Sequence, residues 1–313
     1  MRLGVTIFII FLVFGAIWFA FFYYFDIPQP ETSLVNNDAS ANAFLLPIAE
    51  TSYSPVRDFT IAEPVIEARA AALYDVNSGR FLYSKDINKR LPVASITKLM
   101  TAVVVADNLK LSEIYTIPIE AVNVDGLGAD LYKSERLRAD DLFKMMLIKS
   151  SNDAAIMFSI EAQKRGIDLV AKMNEKAQEL GMYNTHFSDS AGLDDQEAFS
   201  TAGDLVKLVQ YASGYDLIAS VLIIPAADIS SADGLIRHHL VSTNQLLSRL
   251  SGIVLGKTGF TDVALGTMAA EVVLDGGDER IISIILGSQD RFGDTLKLIE
   301  WGKKAYSWAN TIE

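Results

Sequence analysis

The chain contains no cysteine. This excludes disulfide frameworks, cysteine-ligated zinc, iron–sulfur clusters and thiol nucleophiles, although it does not fix the compartment. Histidine is almost as scarce. His186, His238 and His239 are the only three, and no H-E-x-x-H pattern occurs, so multi-histidine metal chemistry is poorly supplied. Positive charge is in deficit, with 27 basic against 39 acidic side chains and a formal net charge of −12. Phosphate backbones are bound by Lys and Arg displacing counterions, and no basic stripe is present, which argues against nucleic acid as a partner. No internal repeat is visible.

What the chain has in excess is apolar residues, 50% of 313. Part of that excess lies in Leu3–Phe25, which contains no charged residue. As a helix its 23 residues span about 34 Å, enough for a hydrocarbon core of about 30 Å. Trp18 and the run Phe21-Phe22-Tyr23-Tyr24-Phe25 match an interfacial aromatic belt, and Arg2 before the segment biases the N-terminus to the cytoplasm. A cleaved signal peptide should have a shorter apolar region with a small-residue site close behind it, whereas Ala39-Ser40-Ala41 lies far downstream. Residues 1–25 are therefore expected to form an uncleaved transmembrane anchor in the cell membrane, with everything after them on the extracytoplasmic face. Residues 26–64, with Pro28, Pro30, Pro47, Pro55 and Pro64 among polar residues, read as a linker.

Residues 65–313 read as one globular domain. Arg69–Val76, the turn Asn77-Ser78-Gly79 and Arg80–Ser84 suggest a β-hairpin. Helical patterns follow over Ser95–Asn108, Ala139–Lys149, Asp153–Arg165, Asp168–Leu180 (closed by Gly181) and Thr201–Ala212 after the cap Ser200. The period then changes. Ile253–Phe260, Gly266–Leu274 and Ile281–Gly287 read as strands, the last two joined by the turn Asp275-Gly276-Gly277-Asp278, and Arg291–Trp308 closes the chain as a helix. Strands, a helical middle, antiparallel strands and a last helix describe an α+β fold.

Three short motifs carry chemistry. In Ser95-Ile96-Thr97-Lys98 the hydroxyl and the amine lie one turn apart on one helix face, so the amine can activate the hydroxyl. S-x-x-K alone is expected about once by chance in a chain of this size. Ser150-Ser151-Asn152 reads equally well as a helix cap, and S-x-N recurs at Ser242-Thr243-Asn244. Lys257-Thr258-Gly259 lies inside an apolar strand, where glycine is unfavourable unless another chain must come close, and should arise in fewer than about one chain in ten. A phosphate-binding loop over Gly252–Thr258 is rejected, because three residues rather than four separate its glycines and a strand follows.

In this order and on these elements the motifs resemble those of penicillin-binding proteins. The chain is similar to low-molecular-mass penicillin-binding proteins of the serine D-alanyl-D-alanine carboxypeptidase type over about Val65–Ser288. Supporting segments are Ala94–Ala102, Ser150–Ala155, Asn184–Phe187, Gly192–Asp195, Thr243–Leu247 and Gly256–Thr261. The resemblance implies a β-lactamase/DD-peptidase-like fold, an antiparallel sheet flanked by the N- and C-terminal helices plus a helical subdomain. It implies no cofactor and no metal. Ser95 would attack the carbonyl between the last two D-alanines of a peptidoglycan stem, Lys98 would be the base, and Ser150 would pass a proton to the leaving amine. Asn152 would hold Lys98 and the substrate amide, and Lys257, Thr258 and Gly259 the terminal carboxylate end. The backbone N–H groups of Ser95 and Phe260 would form the oxyanion hole. β-Lactam antibiotics would acylate Ser95 as covalent inhibitors. Two lysines in one site also imply that one is held neutral.

Two positions depart from the family pattern: Gly203 stands where an arginine is usual, and Leu265 where a glycine is. A β-lactamase would need a glutamate in E-x-x-L-N, and none of Glu161, Glu175, Glu179 or Glu197 lies in that pattern. A DD-endopeptidase cutting cross-links would use the same chemistry. A non-catalytic penicillin sensor should carry a cytoplasmic effector domain, and only Met1 and Arg2 precede the apolar segment.

Overall fold

The computed structural model describes residues 54–122, 124, 131–274 and 279–308. The anchor Leu3–Phe25, most of the linker and the turn 275–278 lie outside the described residues. Among the described residues no helix is long and apolar enough to cross a membrane.

A five-stranded antiparallel sheet divides two layers of apolar packing. Its strands are β2 (Ala70–Asp75), β3 (Arg80–Lys85), β8 (Ile253–Thr261), β9 (Leu265–Val273) and β10 (Arg280–Ser288), in the order β3-β2-β10-β9-β8. Side chains alternate across a strand. Ala70 and Ala72 of β2 and Ile282, Ile284 and Leu286 of β10 enter a large core with the helices. Ala71 and Leu73, with Ile281 and Ile285, meet the C-terminal helix Arg291–Ala305 on the other face through Leu298, Ile299 and Trp301. Burial on both faces explains why β10 reads as a continuous apolar run rather than an alternating one.

The helical layer is built from α1 (Thr97–Asn108), a four-residue turn α2 (Ile119–Val122), α3 (Ala139–Lys144), α4 (Asn152–Lys164), α5 (Leu169–Glu179), α6 (Ala202–Ser213) and α7 (Asp216–Leu222). The C-terminal helix Arg291–Ala305 is α8. α1 is the centre of this layer, with Thr97 through Val105 all buried. Two small hairpins complete the fold: β4 (Ile114–Thr116) with β5 (Arg136–Arg138), and β6 (Ala226–Ser230) with β7 (Arg237–Val241). The sequence pattern did not reveal α7 or these hairpins, because each is short.

Several expectations change at their ends. The α6 cap is Thr201 rather than Ser200, its hydroxyl accepting the Asp204 N–H at 3.1 Å. Ser200 instead exchanges backbone hydrogen bonds with Leu91 at 2.9 and 3.0 Å. Beside Gly203, Asp204 forms an ion pair with Lys207, one turn on at 3.2 Å. Leu265 adopts φ +59°, a left-handed conformation that costs a bulky side chain about 1 kcal/mol.

The last helix stops at Ala305 rather than Trp308, since Tyr306–Ser307 forms a strand, β11, paired with β1 (Val56–Arg57). The last part of the expected linker therefore belongs to the folded body, which begins ahead of Val65. Arg57 holds it there, its guanidinium 4.4 Å from the Trp301 ring centre and 5.3 Å from that of Tyr306, while donating to the Ile61 carbonyl at 3.1 Å. Arg57→Ala should lower unfolding stability by about 1 kcal/mol, the size of a partly desolvated cation–π contact. A urea midpoint equal to the parent's would show that the Arg57 side chain adds nothing.

Candidate active site

The site begins where a turn tightens into a helix. Ala94–Ile96 form a 3-10 turn that runs directly into α1, placing Ser95 one turn ahead of Lys98. Ala94 has φ +50°, and the loop residue Gly192 packs onto it with φ +77°. A Cβ on Gly192 would stand 2.1 Å from the Ala94 carbonyl oxygen, so no other residue fits there.

Lys98 is completely buried, and its Nζ lies 2.8 Å from Ser95 Oγ, 2.7 Å from Asn152 Oδ1 and 2.6 Å from the Ala191 carbonyl oxygen. Burial disfavours the charged amine and pulls it from 10.5 to about 7, against a smaller upward pull from the Asp189 carboxylate. Two of the three partners can only accept hydrogen bonds. A neutral Lys98 therefore spends its two N–H groups on Asn152 and Ala191 and turns its lone pair to the one partner that can donate, the Ser95 hydroxyl.

The Ala191 carbonyl is fixed by Asp189. That carboxylate accepts the backbone N–H groups of Ala191 at 2.5 Å, Gly192 at 2.6 Å and Leu193 at 3.2 Å. The sequence reading missed Asp189. Its signal was an Asx-turn, an aspartate whose side chain closes the next residues' backbone ahead of a glycine.

Ser150 arrives from the other side. α3 continues as a wider π-helical turn, Met145–Lys149, which ends with Ser150 at φ +65°. Ser151 then caps α4, its Oγ accepting the Ala154 N–H at 3.2 Å. The capping and chemical readings of this triplet thus hold together: Ser151 caps, while Ser150 and Asn152 on either side reach the two lysines. Asn152 accepts from Lys98, and Ser150 Oγ accepts from Lys257 Nζ at 2.7 Å.

Lys257 lies on β8, the edge strand of the sheet, and is 1% exposed. Its second partner is the Thr258 carbonyl at 2.9 Å. Burial pushes it well below the ordinary lysine range, and Lys98 and Arg291 push it further. Both lysines are depressed, where one was expected. Arg291, at the start of α8, is a further cation that the sequence did not reveal, and its buried Nε has no hydrogen-bond partner among the described residues. Thr258 Oγ1 shares a hydrogen bond of 2.6 Å with Thr243 Oγ1, which brings the Thr243 segment into the site. Gly259 lets β8 close against the nucleophile turn, since a Cβ there would stand 2.9 Å from the Ser95 nitrogen and 2.4 Å from Thr267 Oγ1. Phe260 follows, its side chain 53% exposed at the rim. Glu161 is no part of this cluster. It pairs with Lys164 at 2.6 Å and Arg165 at 2.7 Å on α4.

Residues 57–290 match the family described as D-alanyl-D-alanine carboxypeptidase. The chain belongs to that family. It is 31% identical over 297 residues to the D-alanyl-D-alanine carboxypeptidase DacC of Escherichia coli, covering 90% of this chain and 72% of that one. It is 30% identical over 236 residues to a D-alanyl-D-alanine endopeptidase of Pseudomonas aeruginosa, covering 74% and 76%. Among solved structures, the Streptomyces K15 DD-transpeptidase superposes with a TM-score of 0.73 at 27% identity, over 78% of this chain and all of that one. The fold is thus the DD-peptidase fold, mixed helices and sheet.

Two predictions follow from the electrostatics. Acylation of the protein by fluorescent penicillin should rise with pH through about 7, as Lys98 loses its proton. Asp189→Asn keeps an acceptor for the turn but removes the charge that favours protonated Lys98, so the rise should move to lower pH. A parent rate that is flat from pH 6 to 10, or an unmoved variant, would contradict this. Stability gives the second. With the folded pKa depressed, the penalty on Lys98 is full below about 7 and fades as pH climbs toward the unfolded value. Lys98→Met should therefore raise the melting temperature more at pH 6 than at pH 10.

Proposed function

We propose that this chain is a serine-type D-Ala-D-Ala carboxypeptidase that trims peptidoglycan stem peptides through an acyl-enzyme on Ser95. The observation that carries the nucleophile is the 2.8 Å contact between Ser95 Oγ and a buried amine poised near neutrality. Ser95 Oγ bonds to the carbonyl carbon of the penultimate D-alanine as its proton passes to Lys98. The backbone N–H groups of Ser95 and Phe260 take the developing oxyanion, a contribution of about 3–4 kcal/mol in comparable sites. The C–N bond then breaks. Ser150, bridged to Lys257 at 2.7 Å, gives its proton to the leaving amine and is reprotonated by the proton that Lys98 holds, so Lys98 is neutral again as D-alanine departs. Water next attacks the ester as Lys98 takes its proton, that proton passes to Ser95 Oγ as the ester C–O bond breaks, and the shortened stem is released.

The Arg291 charge, the Thr258 hydroxyl and Lys257, which a bound carboxylate would help to regain its proton, would form a wall suited to the terminal carboxylate, with Gly259 giving the substrate its approach along the edge strand. β-Lactams present the same carboxylate and a strained amide, and would stop at the ester. Residues 1–25 are proposed as the membrane anchor. The uncharged run Leu3–Phe25 supports that assignment, which would place the catalytic body on the extracytoplasmic face.

A pentapeptide stem ending in D-Ala-D-Ala should release D-alanine, and faster than a cross-linked dimer is cut. The reverse preference would make the chain an endopeptidase. Ser95→Ala should lose both D-alanine release and penicillin labelling; labelling that persists would move the nucleophile elsewhere.

A further inference from the structure

Besides Ser95, Lys98 has two acceptors, Asn152 Oδ1 at the start of α4 and the carbonyl of Ala191. Asp189 gives the Ala191 loop its shape from within. Shape alone does not fix where a loop stands relative to the helices it meets. Something must also hold it at the right distance from α1 and α4.

The same three segments meet again one helical turn deeper, and they meet at Ser190. Thr101 follows Lys98 by one turn of α1, and its hydroxyl donates to the Ser190 carbonyl at 2.7 Å. The carbonyl of Thr97, in the same helix, is the poorer partner at 3.3 Å. Ala155 follows Asn152 by one turn of α4, and its carbonyl accepts the Ser190 hydroxyl at 3.0 Å. Ser159 Oγ, another turn along α4, donates to Ser190 Oγ at 2.8 Å and so sets the direction of that hydroxyl. Thr101 and Ser190 are both buried, which shields these bonds from water. Ser190 stands between the segments Asn184–Phe187 and Gly192–Asp195 that carry the family resemblance, and no step of the mechanism uses it.

We propose that Ser190 is a positioning residue for Lys98: tied to Thr101 and Ala155, it clamps the Ala191 carbonyl against the amine and so aims the lone pair of Lys98 at Ser95. This rests on the Ser95 acyl-enzyme reading above and adds to it the device that keeps the base in line. A neutral amine whose two N–H groups are anchored has one direction left for its lone pair. If the Ala191 carbonyl shifts, one N–H loses its anchor, the lone pair turns away from Ser95 and proton transfer slows. The charged groups that face Lys98 are Asp189 in the same loop and Lys257 on β8, with Arg291 beyond Lys257. The Ala191 carbonyl and the Asp189 carboxylate both favour the protonated amine. A loop released from α1 and α4 takes both away from Lys98, whose proton then leaves at lower pH.

The test follows acylation of the whole protein by fluorescent penicillin across the pH range in which Lys98 titrates. Rates refer to the fraction that labels at completion, so unfolded chains do not count. Thr101→Val keeps the shape of the side chain and removes its hydroxyl, and Ser190→Ala removes the bond to α4. Each should lower the high-pH acylation rate about tenfold, the rate equivalent of one buried hydrogen bond, and move the rise to lower pH. Thr101→Ser keeps the hydroxyl and should return both to the parent's values. Thr101→Ser as slow as Thr101→Val would make the position a packing site and overturn the proposal. A parent-like rate in Thr101→Val and Ser190→Ala, or a rise that stays at the parent's pH, would overturn it too. These outcomes leave the acyl-enzyme intact. A parent protein that does not label, or a Ser95→Ala variant that does, would instead overturn the proposed function.

Discussion

The burial of Lys98 is the constraint on which the rest of the site depends. An amine removed from water must either lose its proton or find partners for three N–H bonds. Here the amine is brought near neutrality and has three partners, each from a different part of the chain: Ser95 from its own helix start, Asn152 from the start of α4, and Ala191 from the loop that Asp189 closes. The site can exist only if those three segments are held in register. α1 does this as the most enclosed helix of its layer, and Gly192 does it by packing its backbone on Ala94 where a side chain would collide. Stability and chemistry therefore oppose one another at a single atom. The burial that makes Lys98 a competent base is the burial that makes it costly to fold around.

The second lysine turns this local tension into a property of the whole cleft. Lys257 is buried opposite, bonded to Ser150, and is pushed down further by Lys98 and Arg291. Apart from Asp189, whose oxygens already accept three backbone N–H groups, no carboxylate counts among the causes that shift either lysine. A protein of net charge −12 thus gathers three basic side chains in one groove, with both lysines held below their ordinary range largely by burial. Arg291 carries the same sign and a buried Nε lacking a partner among the described residues. Such a groove is poorly satisfied when empty and best satisfied by an anion, which suits a substrate identified by its terminal carboxylate.

Much of this was legible in the sequence because the motif residues sit at element boundaries, where local rules are strong. Ser95 and Lys98 are separated by one helical turn, and the three long strands of the C-terminal half read clearly as apolar runs. What the sequence concealed depends on contacts between distant segments. Asp189 acts through backbone groups near it but matters only because Ala191 meets Lys98 across the fold. The Thr243 segment was legible as part of the resemblance, but the hydrogen bond that ties its hydroxyl to Thr258 joins two segments that no local pattern connects. The β1–β11 pairing joins residues at opposite ends of the domain through two residues on each side, too short for any periodicity to signal.

The edge position of β8 links these observations. A strand buried in mid-sheet would have no free backbone to offer, and a strand with an ordinary side chain in place of Gly259 could not approach Ser95. With both conditions met, an extended peptide can lie along one line, its carboxylate at Lys257 and Thr258 and its carbonyl at the nucleophile turn. Recognition of the chain end and attack on the bond beside it then depend on one strand, so a shift of β8 relative to α1 would disturb both at once.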